Sequence, residues 1–173
     1  MKPTMILLVG PIGCGKSTFR KKYLGQFPCI SPDDFIIGRW SPDKVFLAWN
    51  YAEKVANLIL RSGQSFVVDA QFVSSSVRNQ WVKMARLHQF GVVALCFRTP
   101  WVQIVANHNK RGERGGYGKI PIDVVQASHD KFLKSISGPS NWFLFDKVMT
   151  IKWGSRKDKT CALKALNIAE STS

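Results

Sequence analysis

The 173-residue sequence is short of three things, and each shortage removes a class of protein. No stretch approaches the roughly 18 apolar residues of a membrane span, and the first residues carry no apolar core of a secretory signal. The expectation is a soluble, cytosolic protein with no membrane partner. Cysteine is scarce: Cys14, Cys29, Cys96 and Cys161 are scattered, with neither a CxxC pair nor a histidine at metal-ligand spacing. That excludes a zinc site and a disulfide framework, and all four read as reduced thiols. Acids are few, 11 against 25 Lys and Arg, so the net charge is +14. So basic a domain favours polyanionic partners held through counterion release, against the simpler alternative of a surface that only keeps the chain soluble. The cations are clustered around Lys16, Arg20, Lys21 and Lys22, in the stretch His108 to Lys119, and from Lys147 to Lys164.

What the chain does have is a size and a pattern. At 45% hydrophobic content it can build one packed domain, residues 1–173, and is too short for two. Apolar segments MILLV, SFVVD, VVALCF and KVMTI read as strands beginning near Met5, Ser65, Val92 and Lys147. Amphipathic helices fall between them: Val45, Trp49, Ala52, Ala56 and Ile59 share one face, and Val77, Trp81, Met84 and Ala85 another. Further helices are expected from Trp101 to Asn109, from Pro121 toward Ile136 and from Cys161 to Ile168. Such alternation predicts an α/β domain, a mostly parallel central sheet with helices on both faces and ligands at the carboxyl ends of its strands.

The stretch LLVGPIGCGKSTF, Leu7 to Phe19, has the strand, glycine turn and Lys-Ser-Thr helix start of a P-loop. Glycines let backbone N–H groups turn onto phosphate oxygens, the lysine reaches the β/γ-phosphates, and the hydroxyl after it holds magnesium. The nucleotide-facing positions are Gly13, Cys14, Gly15, Lys16, Ser17 and Thr18, with ATP or another NTP and Mg2+ as the implied ligands. For the acceptor, CISPDDF (Cys29 to Phe35) places carboxylates where a proton can be taken from an attacking hydroxyl. Asp33 is the first choice and Asp34 the reserve, against a plain turn and cap. Asp69 closes a buried strand where an acid can face the phosphates or magnesium, and Gln71 follows it as an acceptor contact or an exposed loop amide. The glycine-rich basic stretch over residues 108–120 has the makeup of a lid, with Arg111 or Arg114 to close over the transferring phosphoryl group, against a solvated charge run.

Together GPIGCGKST, SPDD, VVDAQ with VR after it, TPWVQIVANHNKRG and IPIDVV resemble the kinase domain of phage and bacterial polynucleotide 5′-kinases over roughly Met5 to Lys134. The resemblance implies a P-loop kinase fold and ATP-dependent phosphorylation of a 5′-hydroxyl end of DNA or RNA. It implies cytoplasmic localisation, in the host if the gene is a phage's. By position it makes Lys16 and Ser17 the phosphate and magnesium residues, Asp33 the general base, Asp69 the junction of metal and acceptor, Arg78 an acceptor contact and Arg111 the lid arginine. The chain departs from that pattern in having Ile36 three residues after Asp33, where the family carries an arginine, with Arg39 as a substitute. Its lid is longer, with ERGGYGK before Ile120. In an end-healing system, phosphatase and ligase activities are expected from separate chains. An aromatic in SGPSNWF, Ser137 to Phe143, is the guess for adenine contact. The rival readings are a P-loop kinase for a small molecule or for a hydroxyl on a modified DNA base, and an ATP-switched nucleic-acid-binding protein.

Overall fold

The computed structural model describes residues 2–38, 41–111, 120–137 and 141–166. Five strands form one sheet: β1 Thr4–Val9, β2 Cys29–Ile30, β3 Phe66–Asp69, β4 Gly91–Arg98 and β5 Lys147–Lys152. Their order is β2-β3-β1-β4-β5, and every adjacent pair is parallel. Six helices accompany them: α1 Lys16–Tyr23, α2 Pro42–Ser62, α3 Ser75–Leu87, α4 Trp101–Arg111, α5 Ile122–Ser137 and α6 Arg156–Ala165. The expected α/β architecture and all four expected strands are present. The last helix begins earlier than its apolar residues suggested, because the Ser155 side chain accepts from the Asp158 backbone N–H (3.1 Å) and caps a polar first turn.

Side chains in a strand point alternately to the two faces of the sheet, and β1 divides its residues accordingly. Met5, Leu7 and Val9 join Phe66, Val68 and Val92 in a core shared with α2 and α3. Ile6 and Leu8 join Val67, Leu95 and Ile151 in a second core with Phe19 of α1 and Leu163 of α6. Because β1 is buried on both faces, its sequence reads as an unbroken apolar run. The first core is filled by edge-to-face rings, Trp49 on Phe72 (5.4 Å) and Phe72 on Trp81 (5.5 Å). Away from the ligand end, Arg86 of α3 holds Asp146 through two hydrogen bonds of 2.9 Å, and Asp146 also accepts from Val92 N (2.6 Å). Those contacts keep the Asp146 carboxyl below its usual range and fix where β5 joins β4.

Candidate active site

The loop between β1 and α1 opens at the carboxyl edge of the sheet. Gly13 (φ +81°) and Gly15 (φ +97°) adopt the left-handed backbone that glycine takes without strain, and this turns successive N–H groups to one side. Gly10 is required for a different reason: a Cβ there would lie 2.7 Å from Cys14 Sγ. The loop's backbone groups, two carbonyls and an N–H, are held by side chains from outside the loop. Thr99, just after β4, donates to Cys14 O (2.9 Å), and Asn107 of α4 donates to Gly13 O (2.8 Å). Gln103 in turn donates to the Asn107 carbonyl oxygen (2.9 Å). Ser128 of α5 accepts from Ile12 N (3.2 Å) and donates to Gln71 Oε1 (2.7 Å), while Gly10 N donates to Gln71 O (2.9 Å).

Lys16 is buried, and its ammonium donates to Gly10 O (2.9 Å), Pro11 O (2.8 Å) and Cys14 Sγ (3.5 Å). These are polar partners that an anion on the loop would compete with for the same cation. A glycine cradle, a mobile ammonium, a hydroxyl at the first turn of α1 and a carboxylate on the neighbouring strand suit a magnesium-bound nucleotide. Ser17 and Asp69 would hold the metal. Among the described residues no cluster of three or more His, Cys, Asp or Glu exists, so any metal here takes other ligands from phosphate and water.

Two cavities meet at the loop, and Gly13 belongs to both. The smaller, about 120 Å3, is walled by Lys16, Ser17, Asp33, Asp69, Gln71 and Ile36 among others. The structure thus brings the P-loop cation, the hydroxyl and two of the candidate carboxylates into one space, while Asp34 is not one of its walls. Asp33 stands on a 3-10 turn, Pro32–Phe35, that follows the two-residue β2. Asp69 ends β3, is 6% exposed and lies 3.6 Å from Arg20 Nε of α1. The larger cavity, about 600 Å3, lies on the other side of the loop and is lined by Gly15, Thr18, Tyr23, Trp153, Arg156 and Lys159 among others. Lys159 donates to Tyr23 OH (3.0 Å), and a Cβ on Gly15 would lie 3.4 Å from the Trp153 ring.

Three sequence expectations need restating. Gln71 does line the small cavity, but its amide is engaged by Ser128, so it braces the loop against α5. Arg78 is not brought to either cavity: it is 2% exposed, and its Nη1 donates to Phe72 O (2.8 Å) and Ser135 Oγ (3.1 Å). Phe72 has the left-handed φ of +48°, so Arg78 secures a strained turn directly after the segment that carries Asp69 and Gln71. Burial lowers the Arg78 pKa. Of the stretch SGPSNWF, residues 138–140 lie outside the described residues, Phe143 is exposed, and Trp142 lies 4.4 Å from the Arg78 guanidinium and packs on Phe145. A desolvated cation claims the Trp142 ring face, and Trp153 is an aromatic beside the P-loop, with Tyr23 in the same cavity. Trp153, Thr99, Asn107 and Ser128 escaped the sequence reading; the Thr99-Pro100 step at the end of a strand and the Ser155 cap were the signals to follow. The Arg111 backbone closes α4, its side chain lies outside the described residues, and so do Arg39 and Arg114.

Burial pushes the Cys29 and Cys96 thiols up to about 11, which leaves both unreactive at neutral pH. No helix among the described residues is long and apolar enough to cross a membrane.

Against known proteins, a family model described as AAA domain matches residues 5–139, and the chain belongs to that family. A search of the curated proteins finds no match. Among solved structures, a provisionally assigned kinase from Chloroflexus aurantiacus superposes with a TM-score of 0.75 at 16% identity, covering 96% of this chain and 98% of that one. A chain of the Pnkp1/Rnl/Hen1 RNA repair complex gives 0.67 at 21% identity over 78% of this chain and 45% of that one. A sugar kinase from Janibacter sp. HTCC2649 gives 0.64 at 14% identity over 98% and 97%. At such identities the likeness is one of fold: a P-loop kinase-like domain.

Proposed function

We propose that this AAA-domain protein is an ATP-dependent polynucleotide 5′-kinase. The observation that carries the reading is the small cavity in which Asp33 and Asp69 share a wall with Lys16 and Ser17. A nucleotide in the larger cavity, its base beside Trp153, would lay its terminal phosphate across Gly13 toward Asp33. Asp33 takes the proton of the attacking hydroxyl, and Lys16, leaving the Gly10 and Pro11 carbonyls, meets the charge that spreads over the transferring group. Arg111, at the end of α4, or Arg114 adds to that stabilisation. Ser17 and Asp69 would hold magnesium, which when bound would supply charge neutralisation for the phosphates. Gln71 and Ser128 keep the loop in register with the acceptor wall. The excess of 25 basic over 11 acidic residues supports a polyanionic acceptor, and the RNA repair complex among the structural neighbours supports separate end-healing partners.

A second reading has its own support. The acceptor cavity is only about 120 Å3, and Ile36 fills the wall where the resemblance calls for an arginine. That suits a small alcohol or a hydroxyl on a modified base. The deciding experiment is transfer of γ-labelled phosphate to matched 5′-hydroxyl and 5′-phosphate oligonucleotides of DNA and RNA. Label confined to 5′-hydroxyl strands upholds the end-kinase reading. Bound ATP with no strand labelled refutes it and leaves the smaller acceptors.

A further inference from the structure

Helix α2 runs 21 residues from the acceptor cavity. Its inner stripe, Ala48, Ala52, Ala56 and Leu60, is buried against the sheet. Its outer stripe is Lys44, Leu47, Tyr51, Lys54, Leu58 and Arg61, all exposed and spaced alternately three and four residues apart. Leu47 and Tyr51 are each 52% exposed and Leu58 65%. Large apolar side chains do not belong on the solvent face of an isolated helix, and here they alternate with three cations and no acid. Of the helix's acids, Asp43 is exposed in the first turn, four residues before Leu47 and so at the start of this face, while the Glu53 carboxylate accepts from Gln80 of α3 (3.0 Å).

The stripe begins at the mouth of the acceptor site. Val45, Ala48 and Trp49 of the same two turns wall the small cavity. Phe35, two residues after Asp33, lies 6.2 Å from the Tyr51 ring, and Lys54 Nζ lies 5.7 Å from the centre of that ring on its other contact. A path of aromatic, cation and apolar groups therefore leads outward from Asp33.

We propose that the outer face of α2 is the track on which a single-stranded nucleic acid lies as its 5′ end enters the Asp33 cavity. This rests on the polynucleotide reading above. The three-four spacing is also that of a coiled-coil seam, so a second copy is the competing occupant. Self-pairing would bring Lys44, Lys54 and Arg61 of both copies into one interface with only Asp43 of each to answer them. A strand supplies what the face lacks: phosphates for the cations, and flat bases for Tyr51, Leu47 and Leu58. From Lys44 to Arg61 the helix rises about 25 Å, room for about seven nucleotides at about 3.4 Å each.

The test compares the wild-type chain with Lys54→Glu/Arg61→Glu, Tyr51→Ala and Tyr51→Phe. Binding of a fluorescent 5′-hydroxyl octanucleotide is read by anisotropy across salt, and phosphate transfer is read on the octanucleotide and on a dinucleotide too short to leave the cavity. The track predicts that the double variant binds the octanucleotide about tenfold more weakly, with a log–log salt slope shallower by about 1.4. It predicts a raised KM and unchanged kcat on the octanucleotide, unchanged transfer to the dinucleotide, and a loss in Tyr51→Ala that Tyr51→Phe restores. Equal octanucleotide binding by the wild type and the double variant overturns the track. Dinucleotide transfer in that case shows the kinase reading standing without it. If no strand of any length is phosphorylated the kinase reading falls, and the anisotropy then decides the binding face alone. A dimer in sedimentation that Leu58→Glu splits assigns the face to a second copy and overturns the proposal.

Discussion

The two sides of the P-loop are built differently. On the nucleotide side, loop carbonyls are gripped by Thr99 and Asn107, and the loop itself is stitched to α5 and to the segment after β3 through Ser128 and Gln71. On the acceptor side, Asp33 stands exposed on a 3-10 turn after a strand of two residues at the sheet edge. The phosphate cradle is thus over-determined by its neighbours, and the acceptor wall is carried by a short edge segment and α2. On the proposed reading, geometry that every phosphoryl transfer needs sits on the first side, while the features that choose an acceptor sit on the second. A sugar kinase and a chain of an RNA repair complex both share this fold, and fold alone does not choose an acceptor.

Substitutions on the two sides should separate accordingly. The largest effect belongs to Lys16→Ala, which removes the cation aimed at the phosphates; transfer is expected to fall about 10³-fold, with weakened ATP binding in calorimetry. Wild-type affinity for ATP in that variant would break the comparison. Arg78→Met keeps the bulk but leaves the strained Phe72 turn without its donor. It should cost about 2 to 3 kcal/mol in urea unfolding, and raise KM for the acceptor more than for ATP. Asn107→Ala frees one P-loop carbonyl and should cost about 1 kcal/mol, read as a several-fold higher KM for ATP with the acceptor KM unchanged. The smallest effect lies far from both sides. The Asp146 carboxyl is depressed chiefly by its hydrogen bond from Arg86, so its contribution is present above the unfolded carboxylate range near 3.9 and is lost as pH falls through the lower folded value. Both partners are about a third or more exposed, so Arg86→Ala should remove under about 1 kcal/mol, visible as a flatter fall in stability below pH 4.

How much of this could be read from sequence follows the same division. The P-loop was plain because its glycines, lysine and hydroxyl are adjacent in the chain and follow an apolar strand. The sheet was plain because a strand buried on both faces has no polar interruption, as in Met5 to Val9. Asp33 and Asp69 could be named as candidates because one follows a strand and the other ends one at the ligand edge, which the alternation of strands and helices locates. The supporting groups were hidden: Asn107 and Ser128 meet Gly13 and Ile12 across 94 and 116 positions, and a single polar residue in a helix carries no sign of such a partner. The resemblance made Arg78 an acceptor contact, and Trp142 is one of the rings in the stretch named for adenine. Each instead satisfies the other, a pairing that only the folded packing of α3 against the segment before β5 brings about. The outer stripe of α2 is hard to read in sequence because its apolar residues share the helix with a buried stripe of the same spacing.

The measurement that bears most directly on the two-sided account is ATP affinity and phosphate transfer in Asp33→Asn, taken side by side. The account predicts ATP binding within about twofold of wild type and transfer reduced by about 10²- to 10⁴-fold, because the substitution removes a proton acceptor and leaves the cradle untouched. Transfer at the wild-type rate, or an equal collapse of ATP binding, would contradict it.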